Sequence, residues 1–317
     1  GNPVMPHALT LAAIVVRLLH LPSGATIDPF GARALMSAMP DGTVSASVTV
    51  RGFVRETIAW APFARRSRPI VNQPPVIALL RQLCEDLPKA STGPVLAGWL
   101  ADGSAIATMQ SPEMVDLDDT SGQYAPVVVH LRSRQCLDMG NGVALGTAGM
   151  FAAGYTAFIN RVPAPSNVVS AHETFVAMRW HDRTREPLGD GIAIAVDTQG
   201  DAAGASVPPG KGGAFDALPH ARIWFANRAP IQPAEASPAS AAYAIDTRGR
   251  ATGMLEDQSG RHYAFLWENG AVRRLDDAVR APGWRFECGY AFGPAGEIVG
   301  VGTYRGTPAA FVISGLD

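Results

Sequence analysis

The sequence predicts an all-β chain assembled from six copies of one four-stranded unit, and two repeated phrases carry that prediction. Residues 244–253 read AIDTRGRATG and residues 263–267 read YAFLW, while AVDTQGDAAG (195–204) and HARIW (220–224) repeat them closely upstream. The turn glycine of the first phrase recurs at Gly42, Gly103, Gly149, Gly200, Gly249 and Gly296. The residue that closes the second phrase recurs as Trp60, His130, Trp180, Trp224, Trp267 and Ile313. Four-stranded units at a period of about 45 to 60 residues are typical of the blades of a β-propeller.

The fifth copy shows how each unit is expected to fold. SAAYAID is a short β run, DTRG is a turn with Asp first and Gly last, and RATGMLE is a second strand. RHYAFLWE is the third strand, ENG a hairpin turn and AVRRLDD the fourth strand. We expect the turn glycine to need a positive φ, and the small residue four positions later to allow close sheet packing. The tryptophans are expected to fill the core between blades.

The two ends of the sequence predict how the ring closes. The sixth copy contains GEIVGVGT and TPAAFVIS and reaches Asp317 without a fourth strand. IVVRLLHLPSG, ahead of the first copy, has the character of the missing strand, and an unpaired sheet edge would invite aggregation. We therefore expect one six-bladed β-propeller domain over 1–317, closed by a strand at about 11–22 that completes the last blade. The antiparallel blades are predicted at 30–71, 94–138, 141–188, 190–232, 240–279 and 286–317 with 11–22.

Composition argues against two kinds of partner. The formal net charge of −2 lacks the basic excess of proteins that bind nucleic acid, so we expect no nucleic-acid partner. The apolar stretch 8–21 is too short, and too interrupted by Arg17 and His20, to span a bilayer. The oligomeric state is not indicated by the sequence.

The three cysteines carry little information about function. Cys84, Cys136 and Cys288 are far apart and form no C-x-x-C pair, which argues against a disulfide framework or a structural zinc site. We expect three buried thiols that pack as small apolar side chains, with one bridge at most. Unpaired thiols favour a cytoplasmic location, but with the family resemblance described below an exported and a cytoplasmic location are equally compatible with the sequence.

The phrases of residues 190–317 resemble the HAF repeat of bacterial, often exported proteins. In that repeat an Asn/Asp-x-x-Gly turn precedes a Val-Gly strand and a His-Ala-Phe-Leu-Trp strand. The matching residues here are Asp246, Gly249, Gly253 and 263–267, and the neighbouring copies match at 197–204 with 220–224 and at 296–300 with 310–311. The resemblance implies a repeat-built β fold, and it transfers no catalytic residue to this chain.

The parts that do not repeat predict where a ligand binds. Three copies are enlarged between their second and third strands, and one connection between blades is long; the segments are 72–94, 111–124, 155–174 and 207–219. In a propeller these loops emerge on one face. Clustered long loops on a rigid scaffold are the usual way to build a pocket, although surface loops also lengthen at little cost. We predict a ligand pocket on that face.

Several side chains in and near those loops are candidates for chemistry. His172 and Glu173 are predicted as an acid–base pair, although neighbours on an extended strand point to opposite faces. Asp116, Asp118 and Asp119 form a D-x-D-D cluster that suits a calcium ion, and no other cofactor is expected. The predicted ligand-binding residues are Tyr124, Tyr155, Asn160, Arg161, Tyr243, Cys288 and Tyr290, the last three at the channel mouth.

Three functions remain open at this point. The first is a binding propeller that holds a small molecule, a glycan or a peptide on the looped face. The second is an enzyme that uses the same pocket, such as a lyase, hydrolase or cyclase of specialised metabolism, with acid–base side chains. The third is a protein-interaction scaffold, which would explain the repeat but not the clustered insertions.

Overall fold

Six antiparallel sheets form the ring of a six-bladed β-propeller in the computed structural model. The structure describes residues 13–27, 36–50, 54–69, 84, 95–110, 124–130, 133–162, 170–182, 184–206 and 218–316. Neighbouring blades meet through their first strands, as the contacts between the third and fourth blades and between the fourth and fifth blades show. The predicted fold class is therefore confirmed.

The first three blades follow one another along the chain. Blade 1 contains β2 (Ala25–Thr26), β3 (Met36–Ala38), β4 (Val44–Val50), β5 (Val54–Trp60) and β6 (Arg68–Pro69). Blade 2 contains β7 (Val95–Trp99), β8 (Ala105–Gln110), β9 (Tyr124–His130) and β10 (Gln135–Asp138). Blade 3 contains β11 (Val143–Ala148), β12 (Phe151–Val162), β13 (Ser170–His181) and β14 (Thr184–Asp190).

The last three blades complete the ring. Blade 4 contains β15 (Ile192–Val196), β16 (Ala202–Ser206) and β17 (His220–Trp224), with a single bridge from Ile223 to Ile231 in the outer position. Blade 5 contains β18 (Ser240–Ile245), β19 (Ala251–Glu256), β20 (His262–Glu268) and β21 (Ala271–Arg274). Blade 6 contains β22 (Trp284–Phe292), β23 (Ile298–Tyr304) and β24 (Thr307–Ser314). One short helix, α1 (Leu275–Val279), follows β21 where the sequence predicted a longer strand.

A strand from the beginning of the chain supplies the fourth strand of blade 6. This strand, β1 (Val15–Leu19), pairs antiparallel with β24 in a register that joins Val15 to Ser314 and Leu19 to Ala310. Leu19 is fully buried, and the Trp60 indole donates to the His20 carbonyl at 3.2 Å, which links the closing strand to blade 1. The predicted closure of the ring is confirmed.

The repeated glycine phrase forms the turn between the first two strands of each blade. All six marker glycines have a positive φ, between 57° and 90°, as the sequence predicted. In blade 5 the Asp246 carboxylate accepts hydrogen bonds from the backbone N–H groups of Arg248 and Arg250, which closes the turn. Asp197 repeats this arrangement in blade 4.

The small residue four positions after the turn is explained by contacts within the sheet rather than between sheets. The first strands of blades 2 to 6 are bulged, and the bulge directs a carbonyl across the second strand. A Cβ added to Gly253 would lie below 3.0 Å from the Ala241 carbonyl oxygen, and one added to Gly204 would meet Ile192 in the same way. The repeat therefore preserves room for a backbone carbonyl.

The closing tryptophans are buried between blades, as predicted. Trp60, Trp224 and Trp267 pair with the second residue after the turn glycine, which is Val44, Ala202 or Ala251. In blade 2 that second residue is Ala105, and it pairs with Val129. Val129, rather than His130, is therefore the counterpart of the tryptophans, because a one-residue shift turns a side chain to the other face of a sheet.

A buried arginine joins blade 5 to blade 6. Arg250 is 1% exposed; it donates to the Asp246 carboxylate at 2.8 Å, to the Leu316 carbonyl at 2.8 Å and to the Gly296 carbonyl at 2.9 Å. Blade 4 has Asp201 where blade 5 has Arg250. Burial accordingly raises the pKa of the Asp197 carboxyl, whose Oδ2 has no hydrogen-bond partner among the described residues.

The cysteines differ from the prediction of three thiols. Cys84, in the connection between blades 1 and 2, forms a disulfide with Cys136 on β10, and Cys288 is the free cysteine of the three. Their separation of 52 residues gave no sign of contact, because two cysteines so far apart in sequence are brought together only by the tertiary fold. The bridge fixes that connection to the outer strand of blade 2.

We expect reduction of this disulfide to destabilise the protein. Cross-links that close loops of this length contribute roughly 2–4 kcal/mol, chiefly by restricting the unfolded chain. Urea unfolding with and without dithiothreitol should show a lower midpoint under reducing conditions. A Cys84→Ala/Cys136→Ala double variant is the control, since the reductant should leave its midpoint unchanged. An unchanged midpoint in the wild-type protein would contradict the expectation.

Candidate functional site

The two faces of the propeller carry different loops. The face that holds the turns between second and third strands and the connections between blades is here called the upper face; the glycine turns lie on the lower face. On the upper side of blade 5 an open groove of about 880 Å³ lies between the connection 233–238 and the end of β19 on one side and β21 with α1 on the other. We call it the blade-5 groove.

One serine holds the wall of the groove in place. The Ser237 hydroxyl contacts the carbonyls of Ala239 and Glu256, both at 2.6 Å, and the Glu256 N–H at 3.1 Å. These contacts fold the connection back onto the end of β19. Pro233 and Pro238 limit the backbone at either end of the wall, so its shape is largely preformed.

The floor of the groove is apolar. Leu255 from β19 is buried, and Val272 from β21 and Ala278 from α1 are half-buried beside it. The outer strand β21 ends at Arg274, whose guanidinium lies 3.9 Å from the centre of the Tyr263 ring. The helix begins at the next residue, and its Asp276 carboxylate accepts from the Phe286 N–H at 3.1 Å. Burial raises the pKa of the Asp276 carboxyl.

Charged side chains surround this floor, and some of them are paired. Glu256 lies 3.3 Å from His262, and Arg273 lies 3.0 Å from Glu268. The Ser259 hydroxyl and the N–H groups of Ser259 and Arg261 hold the pKa of the Asp257 carboxyl well below its usual range. Asp257 is therefore ionised at every physiological pH.

Three other charges at the groove have no such partner. Glu235 on the wall, Asp277 on α1 and Arg280 just after the helix are exposed. Within the described part of the chain, none of the three makes a side-chain hydrogen bond or an ion pair. Two carboxylates and one guanidinium around an apolar floor can bind a ligand that carries charges of both signs.

A second depression lies on the other side of the turn Asp257–Gly260. It is shallow, with a volume of about 350 Å³, and is lined by Ser259, Gly260, Arg261, His262, Arg285 and Glu287. Arg285 and Glu287 form an ion pair within it. The two depressions together offer a surface suited to an elongated ligand rather than a compact one.

The predicted acid–base residues lie on the long hairpin of blade 3. His172 pairs with Asn160 and Glu173 with Ile159 in the register of β12 and β13, and Arg161 pairs with Ala171. The structure describes only the backbone at these positions, so their predicted roles stay predictions. The segment 155–174 was expected to be a loop, but 155–162 and 170–174 extend the hairpin. Its Tyr, Thr, Phe, Ile and Val residues favour strand.

The remaining predicted positions on the upper face fall in three groups. Tyr124 begins β9, where only the backbone is described. Tyr155 is half-buried, with its ring edge-on to Phe175 at 5.6 Å. Asp116, Asp118, Asp119, the segments 111–123 and 207–217 and most of 72–94 lie outside the described residues. Among the described residues no group of three His, Cys, Asp or Glu side chains could hold a metal ion.

The three residues expected at the channel mouth are buried. Tyr243 and Tyr290 are 4% and 1% exposed, with ring centres 5.0 Å apart, and Cys288 is fully buried in the same apolar cluster. Each lies on a first strand, β18 or β22, at a point where neighbouring first strands pack closely. Burial raises the pKa of the Cys288 thiol, which disfavours the nucleophilic thiolate.

The sequence did not indicate the blade-5 groove, because its residues belong to the most regular copy. The only signal was the connection PAEASP (233–238), whose two prolines flank small and acidic residues. No helix within the described ranges is both long and apolar enough to cross a membrane.

The chain is similar to known proteins in its fold, and not in its sequence. No family model matches the chain, and no curated protein sequence matches it. The β-propeller domain of the Trilobed protease from Pyrococcus furiosus is similar over 92% of this chain and 79% of that one, with 11% identity and a TM-score of 0.46. Dipeptidyl peptidase 4 of Porphyromonas gingivalis is similar over 88% of this chain and 43% of that one, with 10% identity and a TM-score of 0.37.

Proposed function

We propose that the protein is a binding β-propeller whose blade-5 groove receives an extended peptide segment with charges of both signs. The observation that carries this proposal is the apolar floor ringed by Glu235, Asp277 and Arg280, three charged side chains without ion-pair partners among the described residues. A peptide can place a basic side chain near the two carboxylates and an acidic one near the guanidinium, while its apolar side chains cover Leu255 and Val272. The second depression supports a ligand of several residues.

The fold and the preformed wall favour binding without a large rearrangement. Ser237 fixes the wall by side-chain hydrogen bonds, and β19 and β21 belong to a regular sheet, so little ordering is needed when a ligand binds. We also propose, from the residues that resemble the HAF repeat, that the chain is related to the bacterial proteins that carry this repeat. The acid–base roles of His172 and Glu173 and a calcium ion at Asp116, Asp118 and Asp119 also remain proposals.

A groove-filling substitution tests the proposal. Random 12-residue peptides displayed on phage are selected against the folded protein, and the enriched peptides are titrated calorimetrically against Ala236→Trp. Ala236 is exposed on the groove wall, so the indole should obstruct the site and weaken binding roughly tenfold or more. Ala271→Trp, an exposed change at the opposite end of blade 5, is the matched control and should bind as the wild type does.

A charge reversal tests the polar part separately. Arg280→Glu should reduce the affinity for enriched peptides with an acidic residue and leave thermal unfolding unchanged, because Arg280 is exposed. Failure to enrich any peptide, or enriched peptides that bind Ala236→Trp as tightly as the wild type, would overturn the proposal.

A further inference from the structure

A second cavity lies on the opposite, lower face, between blades 2 and 3. Its volume is about 260 Å³, and its walls come from β8, β9 and β10 of blade 2 and from the end of β13 in blade 3. The apolar lining residues are Leu100, Ile106, Val128, Leu137, Met139, Met150 and Trp180. At its mouth lie Asp102, His130, His181 and Asp182. We call it the blade 2–3 crevice.

The crevice exists because blade 2 departs from its neighbour at one pair of positions. In blade 3, Phe151 pairs with His181 and the two rings stack at 4.3 Å under the next blade. The matching pair in blade 2 is Ser104 and His130, whose Oγ and Nδ1 lie 2.6 Å apart. Ser104 is smaller than the matching Phe151 and so leaves space between blades 2 and 3. The glycine turn of blade 3 is shorter than the others and does not fill that space.

The polar groups at the mouth of the crevice favour a ligand with a positive charge. Asp102 Oδ2 lies 3.8 Å from His130, and Asp182 Oδ2 lies 3.3 Å from His181. Hydrogen bonds from Ser104 hold the pKa of the Asp102 carboxyl below its usual value. An imidazole carries charge only when protonated, so the two carboxylates are the permanent charges that line this cavity. Both are partly exposed and accessible to a ligand.

We propose that the blade 2–3 crevice binds a small amine with an apolar, preferably aromatic, body. The body would pack against the indole of Trp180 and the thioethers of Met139 and Met150, which are favourable neighbours for an aromatic ring. The ammonium group would lie at the mouth, between Asp102 and Asp182. This site is independent of the blade-5 groove and of the function proposed for it.

The probe for this proposal is phenethylamine, compared with 2-phenylethanol and phenylacetate, by ligand-observed NMR titration of the intact protein at neutral pH. For a molecule of this size we expect a dissociation constant on the order of millimolar for the amine. The neutral alcohol should bind more weakly, and phenylacetate should not bind measurably. Equal binding of amine and carboxylate, or no binding of the amine, would overturn the proposal.

Two sets of variants locate the site. Asp102→Asn/Asp182→Asn should weaken amine binding roughly three- to tenfold and leave alcohol binding unchanged. Asp41→Asn is the matched control, since Asp41 accepts from Thr43 N–H at 2.8 Å in the blade 1 turn as Asp102 does from Ser104 N–H in blade 2. Leu137→Trp, on the edge strand β10, should fill the crevice and abolish binding of both phenethylamine and 2-phenylethanol. Unchanged amine binding in either variant would refute this location.

Discussion

Gly253→Ala is expected to destabilise the protein by about 3 kcal/mol or more, at the upper end of the penalties for overpacking. The new Cβ would lie inside van der Waals distance of the Ala241 carbonyl and of the Ala242 backbone, and neither is a flexible side-chain end. The bulge of β18 would have to move, and Tyr243, which lies within it, packs against the first strand of blade 6. Urea unfolding followed by circular dichroism measures the loss.

Gly249→Ala is the comparison for this substitution. Gly249 lies four residues earlier in the same blade, has φ +74° and has no heavy atom within 4 Å of an added Cβ. Alanine there suffers only the backbone penalty of the left-handed region, roughly 1–2 kcal/mol. Equal losses for the two variants would show that the close carbonyl approach is not what requires glycine at position 253.

Arg250→Ala is expected to cost about 3–5 kcal/mol, the range found when one partner of a buried ion pair is removed. The substitution removes donors from the Asp246 carboxylate and from the carbonyls of Gly296 and Leu316, and so weakens the junction of blades 5 and 6. The measured quantity is the free energy of unfolding from urea titration at neutral pH.

Arg248→Ala provides the matched control for Arg250. Its guanidinium lies 3.6 Å from the same carboxylate, but its side chain is 46% exposed. An exposed ion pair contributes at most about 1 kcal/mol. If both variants lost the same stability, the Asp246 carboxylate rather than the burial of Arg250 would determine the effect.

The sequence allowed prediction of features that are local or periodic. The turn glycines, the buried tryptophans and the strand that closes blade 6 each follow from short-range chemistry repeated at a regular period. Val129 could not be distinguished from His130, because both lie on β9 and only the pairing with Ala105 sets the register. The Cys84–Cys136 bridge joins residues 52 positions apart, and neither periodicity nor a spacing motif relates them.

The candidate site was harder to predict than the fold. The blade-5 groove lies on the upper face, whereas the long loops that predicted a pocket on that face belong to blades 2, 3 and 4 and to the connection 72–94. The groove arises where Ser237 folds a connection of ordinary length against β19, and where LDD begins a helix instead of extending β21. Such tertiary hydrogen bonds leave no period in the sequence, so the length of a loop does not reveal this groove.

The pairing of β1 with β24 has a consequence for how the chain reaches its native state. Residue 15 is synthesised long before its partner at position 314, which is added only when the other five blades have been made. Blades 1 to 5 each consist of consecutive segments and can form during translation, but blade 6 cannot. The strand VVRLL therefore remains without its β24 partner until the last blade is made, and closure over so long a separation is slow. An unpaired apolar strand can pair with other chains, so the pairing that removes a free edge from the finished ring leaves one exposed until the last strands are made.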